Sequence, residues 1–85
     1  MIRFTVQQPA PNSAIIRLDG RLDSHSLSQL QSLIGPLGPA HALTLDLSGL
    51  LSLDPTSRAY LVQLRTAGAK LAGGSLYIAQ MLQEA

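Results

Sequence analysis

The sequence predicts a small α/β domain spanning residues 1–85, with a mixed four-stranded sheet and elements in the order ββαβαβ. Three observations carry this expectation. Ile2, Phe4 and Val6 alternate with Arg3, Thr5 and Gln7, the period-two signature of a strand with one buried face. Leu27, Leu30, Leu33, Ile34 and Leu37 recur at spacings of three and four, which places them on one stripe of a helix. Leu43, Leu45 and Leu47 then alternate with Thr44 and Asp46, so this strand has one strongly apolar face.

The elements follow in order. The first strand ends at Pro9, residues 8–13 form a turn, and residues 14–18, with β-branched Ile15 and Ile16, supply a second strand closed by Gly20. Asp23 or Ser24 is a natural N-cap for the first helix, which Gly35-Pro36 and Gly38-Pro39 stop. Residues 42–47 read as the third strand. After Leu50, Leu51 and Leu53, Asp54-Pro55 pairs an acidic N-cap with proline at the first helical position and announces a second helix. Leu61, Leu64, Ala67 or Gly68, and Leu71 are its expected buried stripe. Gly73-Gly74 ends it, residues 75–79 read as a fourth strand, and residues 80–85 are too few to complete another helix. A strand, a helix and a strand in succession imply a right-handed parallel crossover.

Composition bounds the function. Eighty-five residues fit one domain, because two halves would each be too small to bury a core. The aromatic residues are Phe4, Tyr60 and Tyr77, so the core is aliphatic. Cysteine is absent, which removes disulfides and thiol chemistry and fits a cytosolic protein. No segment reaches the roughly 18 apolar residues of a membrane span, so a soluble chain without direct membrane insertion is expected. Six basic and five acidic residues are scattered to a net charge of +1, without the clustered basic face and stacking aromatics of nucleic-acid binding. His25 and His41, read as surface residues, share no metal-ligand spacing with the carboxylates. Gly68, Gly73 and Gly74 lack the lysine of a phosphate-cradling loop. No cofactor, no metal and no enzyme activity are expected.

Leu18-Asp19-Gly20-Arg21-Leu22-Asp23, then a helix, then Leu43-Thr44-Leu45-Asp46-Leu47-Ser48-Gly49, then Asp54 leading a second helix, together resemble the STAS family of anti-sigma factor antagonists. The G-x-L-D turn and the D-L-S-G strand end match well. The start of the second helix, usually D-S-S-G-L or D-T-A-G-L, here reads Asp54-Pro55-Thr56-Ser57-Arg58, with Ser57 in the glycine's place and Arg58 in that of an apolar residue. The resemblance implies helices mainly on one face of the sheet and a binding role. It also implies a C-terminal helix that is short or absent in this chain, leaving an apolar strip open to a partner or to a second copy, as in a homodimer.

The resemblance also assigns sites. The family's phosphorylated hydroxyl, two residues after the motif aspartate, corresponds to Thr56, with Ser57 as the secondary candidate. A phosphate on Thr56 would meet the positive end of a helix, with Asp54 repelling it and Arg58 pairing with it if the side chain curls back. Without phosphorylation, Asp54 to Ser57 make a capped helix start. Asp23 corresponds to the family's turn aspartate at the partner surface and is equally an N-cap. Asp19 and Asp46 are expected at strand ends. Leu61 and Leu64 belong to the core, whereas Tyr60, beside Arg58, is the expected half-exposed interface residue. The expected partner set for Asp23, Asp54, Arg58 and Tyr60 is a regulatory protein of the anti-sigma factor or kinase type. An alternative is the ATPase of a membrane lipid transporter, and a third is a small polar ligand held by Asp23, Asp54 and Thr56.

Overall fold

Alternation of apolar and polar side chains produces the expected sheet at its first edge. The structure, a computed structural model, describes residues 2–39 and 42–83; His41 and the last two residues of the expected C-terminal segment lie outside them. Strands β1 (Ile2–Ala10) and β2 (Ser13–Leu22) form an antiparallel hairpin in which Phe4 faces Leu18 and Val6 faces Ile16. Both run past their expected ends. Gly20 does not close β2 but sits inside it at φ 113°, and the strand continues to Leu22, whose side chain is buried.

Helix α1 (Ser24–Ile34) crosses to β3 (Leu43–Leu53), which lies parallel to β2, and α2 (Pro55–Thr66) crosses to β4 (Lys70–Ala72), parallel to β3. The sheet order is β1-β2-β3-β4. Strand β3 is longer than expected and carries two irregularities against β2, between Arg17 and Asp19 and between Gly20 and Arg21. Each gives β3 one extra residue. Its buried positions therefore run Leu43, Leu45, Leu47, Leu50 and Leu53, and Asp46 is an interior residue of the strand, not its end.

The expected fourth strand at residues 75–79 is corrected: this stretch begins helix α3 (Leu76–Gln83), and the fourth strand is Lys70–Ala72. Two local signals outweigh the strand-like composition. The Ser75 hydroxyl accepts a hydrogen bond from Ile78 N–H at 3.2 Å, a helix N-cap, and Ile78 and Leu82 fall four apart on a buried stripe. The second helix also stops earlier than expected. Gly68 takes φ 118° directly after it, so Leu71 serves β4 and not the α2 stripe, and Ala67 and Gly68 are exposed.

Helices α1, α2 and α3 share one core with one face of the sheet. Ala14, Ile16, Leu18 and Leu22 of β2 and the buried leucines of β3 meet Leu27 and Leu30 of α1, Leu61 and Leu64 of α2, and Ile78 and Leu82 of α3. Ile34 and Leu37 pack at its margin. The strip expected to lie open is thus covered by the short α3, which leaves Leu76 and Tyr77 exposed. The opposite face of the sheet is polar and bears Arg17, whose guanidinium pairs with Asp19 at 3.0 Å. Among the described residues no helix is long and apolar enough to cross a membrane.

Candidate functional site

The helix starts at Asp23 and Asp54 lie side by side at the end of the sheet where β2 and β3 finish, because Leu22 and Leu53 are register partners and each strand turns into its helix immediately afterwards. The Asp54 N–H donates to the Leu22 carbonyl at 3.2 Å, which carries the ladder one residue further. Asp54 then caps α2: its Oδ1 accepts from Ser57 N–H at 2.8 Å, and Pro55 occupies the first helical position. Its Oδ2 accepts from Ser24 N–H at 2.8 Å, at the start of α1. Asp23 caps α1 through Ser26, accepting from the backbone N–H at 2.9 Å and from the hydroxyl at 3.1 Å. One carboxylate therefore belongs to one helix start, and the other to both.

These bonds favour the ionised acids. The Asp54 carboxyl is held below the usual carboxylate range by Ser57, through its hydroxyl and then its N–H, with a smaller contribution from Ser24 N–H. The Ser57 hydroxyl lies beside the carboxylate without the geometry of a hydrogen bond, so the firm contact is the backbone one. Asp23 is likewise lowered by the Ser26 N–H and hydroxyl.

The two candidate hydroxyls on α2 differ sharply. Thr56 is exposed, whereas Ser57 is fully buried and its Oγ has no hydrogen-bond partner. Ser57 stands where the resembled motif has glycine, so its side chain occupies space that the motif leaves to backbone. Tyr60 follows Thr56 by one turn on the same helix face, half-buried against the core margin, and burial pushes its phenol up.

Arg58 departs from the expected pairing with Thr56. Residues two apart on a helix point about 200° away from each other, and the Arg58 Nε–H donates to the Met81 carbonyl of α3. Arg65 Nη2 donates to the Leu82 carbonyl at 3.1 Å. Both arginines thus hold the last carbonyls of α3, where a cation also complements the helix dipole. No sequence periodicity announces this role, because α3 itself is read as a strand.

Asp23, Asp54, Thr56 and Tyr60 share this end of the molecule, and Arg58 faces away toward α3. Asp46 lies apart on the sheet, accepting from the Ser48 N–H at 3.0 Å and from the Ser48 hydroxyl. A cleft of about 660 Å³ between the β1–β2 turn and residues 36–39, bordered by Asn12, Thr44 and Lys70, lies at the other end of the sheet and takes in none of the expected residues. Among the described residues no three His, Asp or Glu side chains gather as a metal site would require.

No family model matches the chain, and no curated protein matches it by sequence. Solved structures do. The anti-sigma factor antagonist SpoIIAA in its unphosphorylated form superposes with a TM-score of 0.70 at 21% identity, covering 98% of this chain and 84% of that one. A crystal structure of the protein Mglu matches with a TM-score of 0.62 at 13% identity over 84% of this chain, but only 19% of that much longer one. The hairpin, the two parallel crossovers and the helices gathered on one face of the sheet thus constitute a STAS-type fold, the one also seen in the anti-sigma factor antagonist SpoIIAA.

Proposed function

We propose that this chain is a protein-interaction module that works in the manner of an anti-sigma factor antagonist, binding a regulatory protein with an ATP-binding, kinase-like domain. The observation that carries this reading is the exposed Thr56 hydroxyl in the first turn of α2, next to an Asp54 that ties that turn to the start of α1. A partner gripping this end meets two helix starts held as one rigid unit. Its contact surface consists of residues 20–24, Asp54, Thr56 and Tyr60.

Phosphorylation of Thr56 regulates the contact in this reading. The modification adds up to about two negative charges at a position where helix N–H groups favour an anion. Asp54 opposes it at close range, so the phosphate changes the partner-facing surface more than it stabilises the helix. Arg58 is engaged with Met81 and contributes through α3, not as a phosphate ligand. Ser57 serves packing, since its buried hydroxyl is out of a kinase's reach in this conformation.

The test uses the purified chain, an ATP-binding anti-sigma-type kinase from the same genome, and labelled ATP. Thr56→Ala should bind the kinase and take up no label, whereas Ser57→Ala should bind and label normally. Undiminished labelling of Thr56→Ala would remove Thr56 from the mechanism. Failure to bind any such kinase, together with stable association with the ATPase of a lipid transporter, would replace this reading by that of a transporter accessory subunit.

A further inference from the structure

Strand β1 is an outer strand of the sheet and is nine residues long, whereas the opposite outer strand, β4, has three. An outer strand presents unpaired N–H and C=O groups, and folded proteins usually blunt such an edge with charge, proline or brevity. β4 is short and carries Lys70. In β1, residues 4–7 carry neither a charge nor a proline; Arg3 stands at one margin, and at the other the pairing with β2 shifts register between Gln7 and Ala10, around Pro9. Its side chains on the helix-bearing face are also incompletely covered, with Ile2 and Phe4 half-buried and Val6 39% exposed.

We infer that β1 is a homodimerisation edge, pairing antiparallel with β1 of a second copy about a two-fold axis at Thr5. This register follows from three features of the strand. Centred on Thr5, the ladder takes in residues 3–7, the regularly paired part of the strand, and stops short of the register shift after Gln7 and of Pro9, which cannot donate to it. It sets Phe4 opposite the partner copy's Val6 on the helix-bearing face, an aromatic–β-branched pair that covers the exposed valine. It sets Arg3 opposite Gln7 and holds the two copies of Arg3 about 14 Å apart along the strands. Shifting the axis toward Val6 draws Pro9 into the ladder or shortens it, and shifting it toward Phe4 breaks the Phe4–Val6 pair.

The sheets of the two copies then form one continuous eight-stranded sheet. A five-residue ladder is roughly 17 Å long, a short contact that falls below the ~1,200 Å² of stable complexes. The dimer is therefore weak and concentration-dependent. It uses the edge of the sheet farthest from β3 and leaves Asp54 and Thr56 free, so it is independent of the function proposed above.

The absence of cysteine makes the register directly testable by disulfide trapping. Directly opposed Cα atoms in an antiparallel pair lie about 4.5–5.5 Å apart, inside the about 4.4–6.8 Å span of a disulfide. Thr5→Cys should run as a covalent dimer on a non-reducing gel after mild oxidation. Arg3→Cys and Gln7→Cys, at exposed positions on the same face, should remain monomeric alone and crosslink when mixed. Adding Val6→Lys to Thr5→Cys should abolish the dimer band while circular dichroism shows the fold intact. Equal trapping of all three single variants, trapping strongest at position 3 or 7 alone, or no trapping at position 5 would each overturn the proposal.

Discussion

The Ser24 N–H and the Asp54 carboxylate, thirty residues apart in sequence, meet at 2.8 Å, and this bond joins the starts of two helices that lie on different crossovers. The same carboxylate caps its own helix through Ser57, so its removal unties both ends at once.

Replacing Asp54 by alanine should therefore cost about 1–2 kcal/mol, the upper part of the range for loss of an N-cap. Asp54→Asn, which keeps an acceptor oxygen, should cost less. Urea denaturation measures both, and hydrogen exchange should speed up at the amides of Ser24 and Ser57 together. Protection lost at Ser57 alone would show that the bond to Ser24 contributes nothing.

Acid should act on the same groups. The carboxyls of Asp23, Asp46 and Asp54 are all lowered in the folded state by the hydrogen bonds they accept. Their contribution to stability is fully present above the unfolded value of about 3.9 and is lost as pH falls through the lower folded values. The unfolding free energy measured from pH 6 down to pH 2 should fall in that acidic window, and Asp54→Asn should shallow the fall. A flat profile would contradict the cap geometry.

Ser57 gives a prediction of opposite sign. A buried hydroxyl without a partner is left with a desolvation penalty of about 1–3 kcal/mol, and alanine keeps the Cβ while favouring helix. Ser57→Ala should leave stability unchanged or raise it, by up to about 1 kcal/mol. A clear loss in thermal denaturation would mean that the hydroxyl bonds the Asp54 carboxylate after all.

Arg58 and Arg65 should matter for α3 and little for α2. Each single alanine variant should cost about 1 kcal/mol, as for a typical hydrogen bond. The double variant should loosen α3 enough to expose Ile78 and Leu82, read as binding of a hydrophobic dye without loss of the sheet signal in circular dichroism. Unaltered protection of the α3 amides in the double variant would remove this role.

Gly73 holds φ 72° in the turn before α3, where an added Cβ would stand 2.5 Å from the Ser48 hydroxyl oxygen. Gly73→Ala should destabilise by about 1–2 kcal/mol from the backbone conformation alone, with further loss from the contact. A calorimetric melting temperature equal to that of the parent would refute this.

Most of the architecture was legible in the sequence because it is written in short-range patterns. Alternation at Ile2–Val6 and Leu43–Leu47, helical spacing from Leu27, and the Asp54-Pro55 start all act within a few residues, and each produced the element it implies. The end of the chain was not legible in this way. Residues 75–79 have a strand-like composition, and only the Ser75 cap and the burial of Ile78 with Leu82 make them helical; the second of these depends on tertiary contact. The site divides similarly. Asp23 and Asp54 were readable as caps, but the bond from Ser24 to Asp54, the burial of Ser57 and the reach of Arg58 to Met81 are relations between distant segments that no local pattern contains.

The two extra residues of β3 have a bearing on engineering. Between the level of Ala14 and that of Leu22, β3 spends ten steps where β2 spends eight, so it has surplus contour length that must bow outward. Excising that surplus, one residue at each bulge, would restore strict alternation while keeping Leu43, Leu45, Leu47, Leu50 and Leu53 pointing inward. Such a shortened chain keeps Leu22 and Leu53 as register partners, so it should still fold with Asp54 beside Ser24. The bulges therefore belong to the middle of the strand, and the placement of the α2 start rests on its last pair.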